Sequence, residues 1–225
     1  MLELNRFYNM DCMEGMKQFP DKYFELAIVD PPYGLGRYKK NDGGNSKKIR
    51  CFGDKEKNWN NEPPTQKYFA ELFRISEKQI IWGGNNFDLP KTEYFIIWDK
   101  HQFMPSFARC EYAWTNCKMP AKIYEARSQD GDRIHPTQKP IKLYEWLLSN
   151  YANKGDKILD THVGSASSLI ACHRMGFQYI GFEIDADYFE AASKRLEAEK
   201  AQVSLLDLLP GYSEVNAIQE KLGGA

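Results

Sequence analysis

Short apolar runs alternate with amphipathic stretches along most of this 225-residue chain. The apolar runs contain isoleucine, valine and aromatic residues and lie between polar, turn-forming residues, which is typical of buried strands. We predict strands at residues 24–30, 78–82, 94–98, 157–160 and 179–183. Between them, apolar residues recur at the spacing of a helix with one buried face. The helical stripes are Tyr68-Phe69-Leu72-Phe73, Tyr144-Leu147-Leu148-Tyr151 after Pro140, and Phe189-Ala192-Leu196.

This alternation of strands and helices predicts an α/β domain over residues 1–200, followed by a tail at 201–225. Apolar residues make up 42% of the chain and aromatic residues 14%, which is enough for a core and excludes a disordered chain. The net charge is −1, so any basic surface must be local. No apolar stretch approaches the roughly 20 residues of a membrane span, and the N-terminus lacks a signal pattern. The five cysteines are scattered without a Cys-x-x-Cys pair, so we expect free thiols, a cytoplasmic protein and no metal site.

Two segments interrupt the pattern. Residues 35–62 are polar and carry eight cations and four acids, a local charge of +4. A loop of this length in a compact domain is usually functional or disordered. Residues 115–134 are predicted to form a shorter insert that is irregular or rich in β-structure.

The first chemical motif is Asp30-Pro31-Pro32-Tyr33-Gly34, directly after a predicted strand. The prolines stiffen the backbone and have no N–H, so the carboxylate and the carbonyl oxygens form a cluster of hydrogen-bond acceptors. Tyr33 offers a face for stacking. Such a site suits a planar ring that carries an exocyclic amine, although a proline-rich turn that merely closes a strand has the same composition.

The second motif is a strand that ends at Asp160 and continues through Gly164 and Ser165 into a predicted helix at 169–175. Small residues let a ligand approach the backbone near a helix N-terminus. The next strand ends at Glu183, at about the offset where nucleotide-binding folds place the acid that binds ribose hydroxyls. An ordinary strand–helix turn remains the alternative, and a strict Gly-x-Gly-x-x-Gly is absent.

The third motif is His135-Pro-Thr137-Gln-Lys139-Pro140, just before a predicted helix. A hydroxyl and an ammonium at a helix entrance can hold a carboxylate. A helix-entry loop whose prolines only set the geometry is the alternative.

The three motifs, in this order, resemble those of the β-class DNA amino-methyltransferases that use S-adenosylmethionine. The resemblance extends from the N-terminal Asn9-Met-Asp11-Cys12 to Arg195 and includes Trp82-Gly-Gly-Asn-Asn-Phe87. It implies a doubly wound, mostly parallel, Rossmann-like sheet in which the catalytic motif precedes the cofactor loop. It also implies methyl transfer to the exocyclic amine of a flipped adenine, with Asp30, Pro31, Pro32 and Tyr33 around the target base.

The resemblance also implies which residues hold the cofactor. They are Asp11 and Cys12 at the adenine, Glu183 at the ribose, Asp160, Gly164 and Ser165 at the methionine side, and Thr137 and Lys139 at its carboxylate. Asp185 is better interpreted as a helix cap. The family loop usually reads Asp-Pro-Phe-x-Gly-Ser-Gly-Thr, and here Thr161, His162 and Ala166 depart from it. A positive φ at Ala166 would strain the loop by about 1 kcal/mol or more.

The resemblance makes double-stranded DNA the expected partner. We expect the basic loop to contact phosphates through Lys39, Lys40, Lys47, Lys48 and Arg50, unless the loop is merely solvated. Sequence readout is expected from the small insert, from the basic loop or from a second subunit of a homodimer. A restriction endonuclease partner fits the same resemblance. The alternatives are a cytosine-amine methyltransferase, a protein or RNA methyltransferase, and a non-catalytic DNA-binding relative.

Overall fold

One sheet of eight strands organises the part of the chain that the computed structural model describes, which is residues 1–34, 62–105, 107–127, 133–135 and 137–202. The strand order is β1-β8-β7-β2-β3-β5-β4-β6. β5 runs antiparallel to its neighbours β3 and β4, and the other neighbouring pairs are parallel. The strands are β1 (Arg6–Asn9), β2 (Phe24–Val29), β3 (Ser76–Trp82), β4 (Phe95–Asp99), β5 (Cys110–Thr115), β6 (Lys122–Glu125), β7 (Lys157–Asp160) and β8 (Gln178–Glu183).

Helices cover both faces of this sheet. Alternate residues of a strand point to opposite faces, and β2 shows the consequence. Leu26 and Ile28 pack in a core cluster with helices α3, α4 and α5, whereas Ala27 and Val29 pack in a second cluster with α1 and α2. The expected doubly wound, mostly parallel α/β fold is therefore confirmed. The helices are α1 (Cys12–Met16), α2 (Gln66–Ile75), α3 (Ile141–Tyr151), α4 (Ser167–Arg174) and α5 (Ala186–Lys200).

The two halves of the chain meet between β2 and β7. From β2 the chain runs through α2 to β3 on one side, and from β7 it runs through α4 to β8 on the other side. β2 and β7 pair in parallel with Ala27 opposite Leu159. A crevice forms outside the carboxyl ends of strands where the winding direction reverses, and it is the usual ligand site of such sheets. Asp30 and Asp160 lie at this reversal.

The strands predicted from apolar runs lie within two residues of the observed ones. The segment 115–134 contributes β6, which pairs in parallel with β4 and extends the main sheet. The short strand β1 and the strand β5 escaped prediction because polar residues such as Arg6, Asn9 and Glu111 interrupt their apolar pattern. Within the described ranges, no helix is long and apolar enough to cross a bilayer.

Candidate functional site

Asp30 lies at the carboxyl end of β2, and both of its carboxylate oxygens accept hydrogen bonds. The Tyr33 hydroxyl donates to Oδ1 at 2.6 Å, and the Lys139 ammonium donates to Oδ2. Pro31, which follows directly, is buried and has no N–H to compete for these oxygens. In this structure the chain's own donors therefore occupy both oxygens of the Asp30 carboxylate.

The Tyr33 ring packs over Gly83, at the turn after β3. A Cβ at residue 83 would collide with this ring, and the φ of Gly83 is +66°, so two independent constraints favour glycine there. The Phe87 ring meets Tyr33 edge-on, with 6.1 Å between centroids. Burial, followed by the nearby Asp30 charge, raises the pKa of Tyr33 far above its usual range. Tyr33 therefore stays protonated and acts as a hydrogen-bond donor to Asp30.

Lys139 is 3% exposed and lies between two carboxylates. Its ammonium contacts Asp30 and lies 3.2 Å from Oε2 of Glu111. Glu111 in turn pairs with Lys100 at 2.5 Å. Burial alone would lower the pKa of Lys139, but the charges of Asp30 and Glu111 outweigh it and raise that pKa. The ammonium is therefore charged.

This ion-pair chain gives Lys139 partners that the sequence motif did not indicate, and its expected contact with a cofactor carboxylate stays a prediction. The sequence motif places Lys139 beside a cofactor carboxylate, whereas the structure turns its ammonium toward Asp30 and Glu111. The physical reason is that two partly buried carboxylates favour a cation between them, and the buried Lys139 supplies it. Glu111 and Lys100 belong to this site although no sequence motif singled them out.

Asp160 ends β7 and organises the start of the small-residue loop. Its Oδ1 accepts the backbone N–H of His162 at 3.0 Å, and its Oδ2 accepts the Ser168 hydroxyl at 2.5 Å. The side chain is 2% exposed. Burial raises the pKa of Asp160 to about 7, and these hydrogen bonds only partly offset the effect of burial. The carboxyl group can therefore carry a proton near neutral pH.

Glu183 ends β8 and ties the loop to the neighbouring strand. Its Oε2 accepts the N–H of Gly164 at 2.9 Å, and its Oε1 accepts the N–H of Asp185 at 2.9 Å. Burial raises the pKa of Glu183. Asp185 caps α5 by accepting the N–H groups of Asp187 and Tyr188, as predicted. Glu183 thus contacts the loop at Gly164.

Ala166 adopts the left-handed conformation, with φ +63° and ψ 16°, at the N-cap of α4. The conformation costs a non-glycine residue about 1–2 kcal/mol. The methyl group is fully buried in the core cluster with Leu169 and Ile170, which returns about 0.8 kcal/mol. Burial of the methyl group therefore offsets part of the conformational strain at Ala166.

Ser165 lies in the same loop. Its carbonyl oxygen accepts an N–H of Arg195 at 2.6 Å. Its hydroxyl lies 3.1 Å from that of Ser167. The guanidinium of Arg195 thus ties this loop to α5.

The remaining expected cofactor residues lie around this loop. Asp11 caps α1 by accepting the N–H of Met13 at 2.7 Å. Burial raises the pKa of Cys12 to about 12, so its thiol is not ionised near neutral pH. Thr137 places its hydroxyl 3.1 Å from Nδ1 of His135, and the His135 ring lies over Gly164, where a Cβ would meet it at 3.5 Å.

A polar contact joins the two halves of the crevice. The Tyr68 hydroxyl on α2 lies 2.6 Å from Oγ1 of Thr161, and that oxygen lies 2.9 Å from Nδ1 of His162. Burial lowers the pKa of His162 to about 4, so its imidazole is neutral. Two of the three departures from the usual family loop, Thr161 and His162, therefore form part of one network with α2. The expected phosphate contacts at Lys39, Lys40, Lys47, Lys48 and Arg50 lie outside the described residues.

Comparisons with known proteins show which family the sequence is similar to. A family model described as DNA methylase, for the N6 and N4 amino-methyltransferases, matches residues 39–194. A putative methylase, YubD of Escherichia coli K12, is 26% identical over 218 residues, covering 87% of this chain and 91% of the relative. The Type II methyltransferase M.HpaI of Haemophilus parainfluenzae is 24% identical over 234 residues, covering 84% of this chain and 73% of the relative.

Solved structures show the same fold. The M1.HpyAVI–SAM complex matches with a TM-score of 0.56 and 22% identity, covering 84% of this chain and 98% of the other. The cytosine-N4-specific PvuII DNA methyltransferase matches with a TM-score of 0.58 and 15% identity, covering 97% of this chain and 93% of the other. Because the family model spans well over half of the sequence, the resemblance of its motifs is confirmed and the chain belongs to the DNA methylase family of N6- and N4-amino-methyltransferases.

Proposed function

We propose that this protein transfers a methyl group from S-adenosylmethionine to the exocyclic N6 amine of an adenine in double-stranded DNA. One observation carries the proposal. The acceptor carboxylate of Asp30 and the small-residue loop that starts at Asp160 lie at the carboxyl ends of adjacent parallel strands. Neighbouring strands are about 4.8 Å apart, so a single ligand can reach both motifs.

The residues of the loop fit a positively charged cofactor. Asp160 is buried and Glu183 is partly buried, and burial raises the pKa of both carboxyl groups. Their hydrogen bonds in the structure come from neutral N–H and hydroxyl donors. A cation beside such groups is electrostatically favourable. Glu183, Asp11 and the backbone around Gly164 would hold the cofactor. Bound S-adenosylmethionine would supply an electrophilic methyl group on a sulfonium.

The chain's own residues orient the amine. Its lone pair is delocalised into the ring, and hydrogen bonds from its N–H groups to Asp30 and to the Pro31 carbonyl favour a tetrahedral nitrogen as positive charge develops. A carboxylate oxygen can accept more than one hydrogen bond, so the amine either joins or replaces the Tyr33 hydroxyl on Oδ1. Lys139 holds Oδ2 and keeps the carboxylate in place.

The target atom of a stacked duplex is not accessible, so the base must leave the helix. The Tyr33 ring offers a surface against which it can stack, worth about 1–3 kcal/mol. The basic segment 35–62 follows Tyr33 and Gly34 directly in the sequence. We assign it the phosphate contacts. We also propose that the protein forms a homodimer and acts together with a restriction endonuclease.

Adenine is preferred to cytosine because an aspartate at position 30 resembles the adenine enzymes, whereas serine is commoner in enzymes that methylate the cytosine amine. The test is expression in a host without DNA methylation, followed by nucleoside digestion and mass spectrometry. We expect N6-methyladenine. N4-methylcytosine as the sole product would reject the adenine assignment, and unmodified DNA would reject the activity.

The variant Asp30→Asn tests the role of this carboxylate, because it keeps the shape of the side chain and one acceptor oxygen. We expect DNA from cells that express this variant to lack the modification, with the protein still folded. Full modification by Asp30→Asn would remove Asp30 from the proposed mechanism.

A further inference from the structure

Glu111, near the start of β5, places its carboxylate between two lysines. Its Oε1 lies 2.5 Å from the Lys100 ammonium, and its Oε2 lies 3.2 Å from the Lys139 ammonium. Oε2 is buried and, within the part of the chain that the structure describes, accepts no hydrogen bond of good geometry. The charge of Lys139 is therefore what compensates this oxygen.

Two tryptophan rings of the core lie beneath these lysines. The Lys139 ammonium lies 5.2 Å from the centroid of the Trp82 ring, and the Lys100 ammonium lies 5.3 Å from that of Trp98. Both tryptophans are buried, and their rings meet edge-on with 6.4 Å between centroids. A cation beside an aromatic ring is attracted to it, and close-packed core side chains hold their positions. The ion pairs of Glu111 thus rest on a rigid part of the protein.

Lys139 transmits the position of Glu111 to Asp30. Its side chain is 2% exposed, so water hardly competes with the two carboxylates that it contacts. Lysine has a long, flexible stem, and one carboxylate alone leaves its ammonium free to rotate and shift. A second carboxylate restricts that freedom. Because the target amine joins or replaces the Tyr33 hydroxyl on Oδ1, the contact of Lys139 with Oδ2 is the one that persists during the reaction.

We propose that Glu111 is a positioning residue for methyl transfer: through Lys139 it fixes the Asp30 carboxylate at the angle at which Oδ1 meets the target amine. The inference rests on the proposed function and adds a residue that acts without touching the amine or the cofactor. A misplacement of reacting groups by about 1 Å can cost on the order of 10²-fold in rate. Glu111 also shares the charge of Lys139, so that this charge opposes less the positive charge that develops on the amine.

The experiment measures the single-turnover rate of methylation of unmethylated plasmid DNA with the protein in excess. Calorimetric titration measures the Kd of S-adenosylmethionine for the same variants. Glu111→Gln keeps the size of the side chain and removes its charge. We expect it to slow the single-turnover rate at least tenfold and to change the Kd less than threefold. Glu111→Asp keeps the charge on a shorter side chain, and its rate should lie between those of Glu111→Gln and the wild type.

Glu25 provides the matched control, because it is another partly buried glutamate of the sheet that pairs with a lysine. Its Oε1 lies 2.7 Å from the Lys157 ammonium, and its side chain is 30% exposed, against 24% for Glu111. It lies near the start of β2, at the other end of the strand from Asp30. Glu25→Gln therefore removes the same charge away from the site and should leave the rate and the Kd unchanged.

Three outcomes would overturn the positioning role. A wild-type rate in Glu111→Gln would show that Asp30 does not depend on Glu111. An equal loss of rate in Glu25→Gln would show a general weakening of the sheet. Weaker binding of S-adenosylmethionine with an unchanged rate would assign Glu111 and Lys139 to the cofactor.

A second variant keeps the test decisive if Glu111→Gln unfolds at the assay temperature. Lys100→Gln removes the partner of Oε1 and should slow the single-turnover rate at least threefold. In that case a wild-type rate in Lys100→Gln would overturn the proposal. An inactive wild type, by contrast, would reject the proposed function itself.

Discussion

Asp160 shows how a single residue can couple the site to pH. Its carboxyl group is buried, and burial raises its pKa from 3.8 to about 7. In the unfolded chain the group loses its proton near pH 4, whereas the folded protein retains it up to about pH 7. Between these values the folded state binds more protons, so the free energy of unfolding falls as pH rises. The stabilisation is fully present below pH 4 and lost above pH 7.

We therefore predict that Asp160→Asn gains stability relative to the wild type as pH rises from 4 to 7. The shift of about three pKa units corresponds to about 4 kcal/mol at most. The asparagine can still accept the N–H of His162, and the Ser168 hydroxyl can accept from its amide. Urea unfolding at pH 4.5, 6 and 7.5 measures the difference. Glu190→Gln, at an exposed carboxylate of α5, is the control. Parallel stability curves for wild type and Asp160→Asn would contradict the prediction.

Ala166 marks the limit of prediction for a single residue. The sequence shows that alanine replaces a glycine of the usual family loop, and it indicates what a positive φ would cost. It does not show which φ the residue adopts or how far its methyl group is buried. Both depend on α4 packing against the sheet, through contacts with Leu169 and Ile170 that are tertiary rather than local.

At the scale of elements, the loop before α3 carries Lys139, the cation that lies between Asp30 and Glu111. Lys139 precedes α3 in the chain, yet its ammonium lies at the end of β2 and beside the start of β5. The sequence motif predicted a helix entrance at which Lys139 could hold a carboxylate of the cofactor. It could not predict the partners because Asp30 and Glu111 lie 109 and 28 residues away in sequence and are brought there by the sheet order.

We predict that Lys139→Met destabilises the protein by up to about 3–5 kcal/mol, because it leaves two partly buried carboxylates without their cation. Adding Glu111→Gln should recover part of this loss, since one of the two carboxylates is then neutral. Urea unfolding at neutral pH of the single and double variants measures the coupling. Strictly additive losses would show that Lys139 does not compensate Glu111. Lys194→Met, on the exposed face of α5, controls for removal of a lysine and should change stability little.

At the scale of the whole molecule, the order of the motifs predicted the fold well. Buried strands such as β2, β7 and β8 are continuous apolar runs, so they were found from pattern alone. The apposition of Asp30 with the loop after Asp160 followed from the expected winding of the sheet. The ion pairs that link Lys100, Glu111, Lys139 and Asp30 were not predicted. Neither was the antiparallel connection between β4 and β5, because β5 runs antiparallel in an otherwise parallel sheet and begins with polar residues.

The reversal between β2 and β7 also separates two tasks. Residues of β7, β8 and their loops would hold the cofactor, whereas the end of β2 would hold the target amine. Glu183→Gln leaves a single carbonyl oxygen for the N–H groups of Gly164 and Asp185, so one of them loses its partner. A lost buried hydrogen bond costs about 1–3 kcal/mol.

We predict that Glu183→Gln weakens S-adenosylmethionine binding at least tenfold, or about 1.4 kcal/mol. Asp30→Asn should change this affinity less than threefold while abolishing methylation, because Asp30 contacts Tyr33 and Lys139 rather than the loop. Calorimetric titration of the folded variants with S-adenosylmethionine measures both effects. If Asp30→Asn weakened binding as much as Glu183→Gln, the cofactor would reach across to β2, and the assignment of one task to each side of the reversal would be wrong.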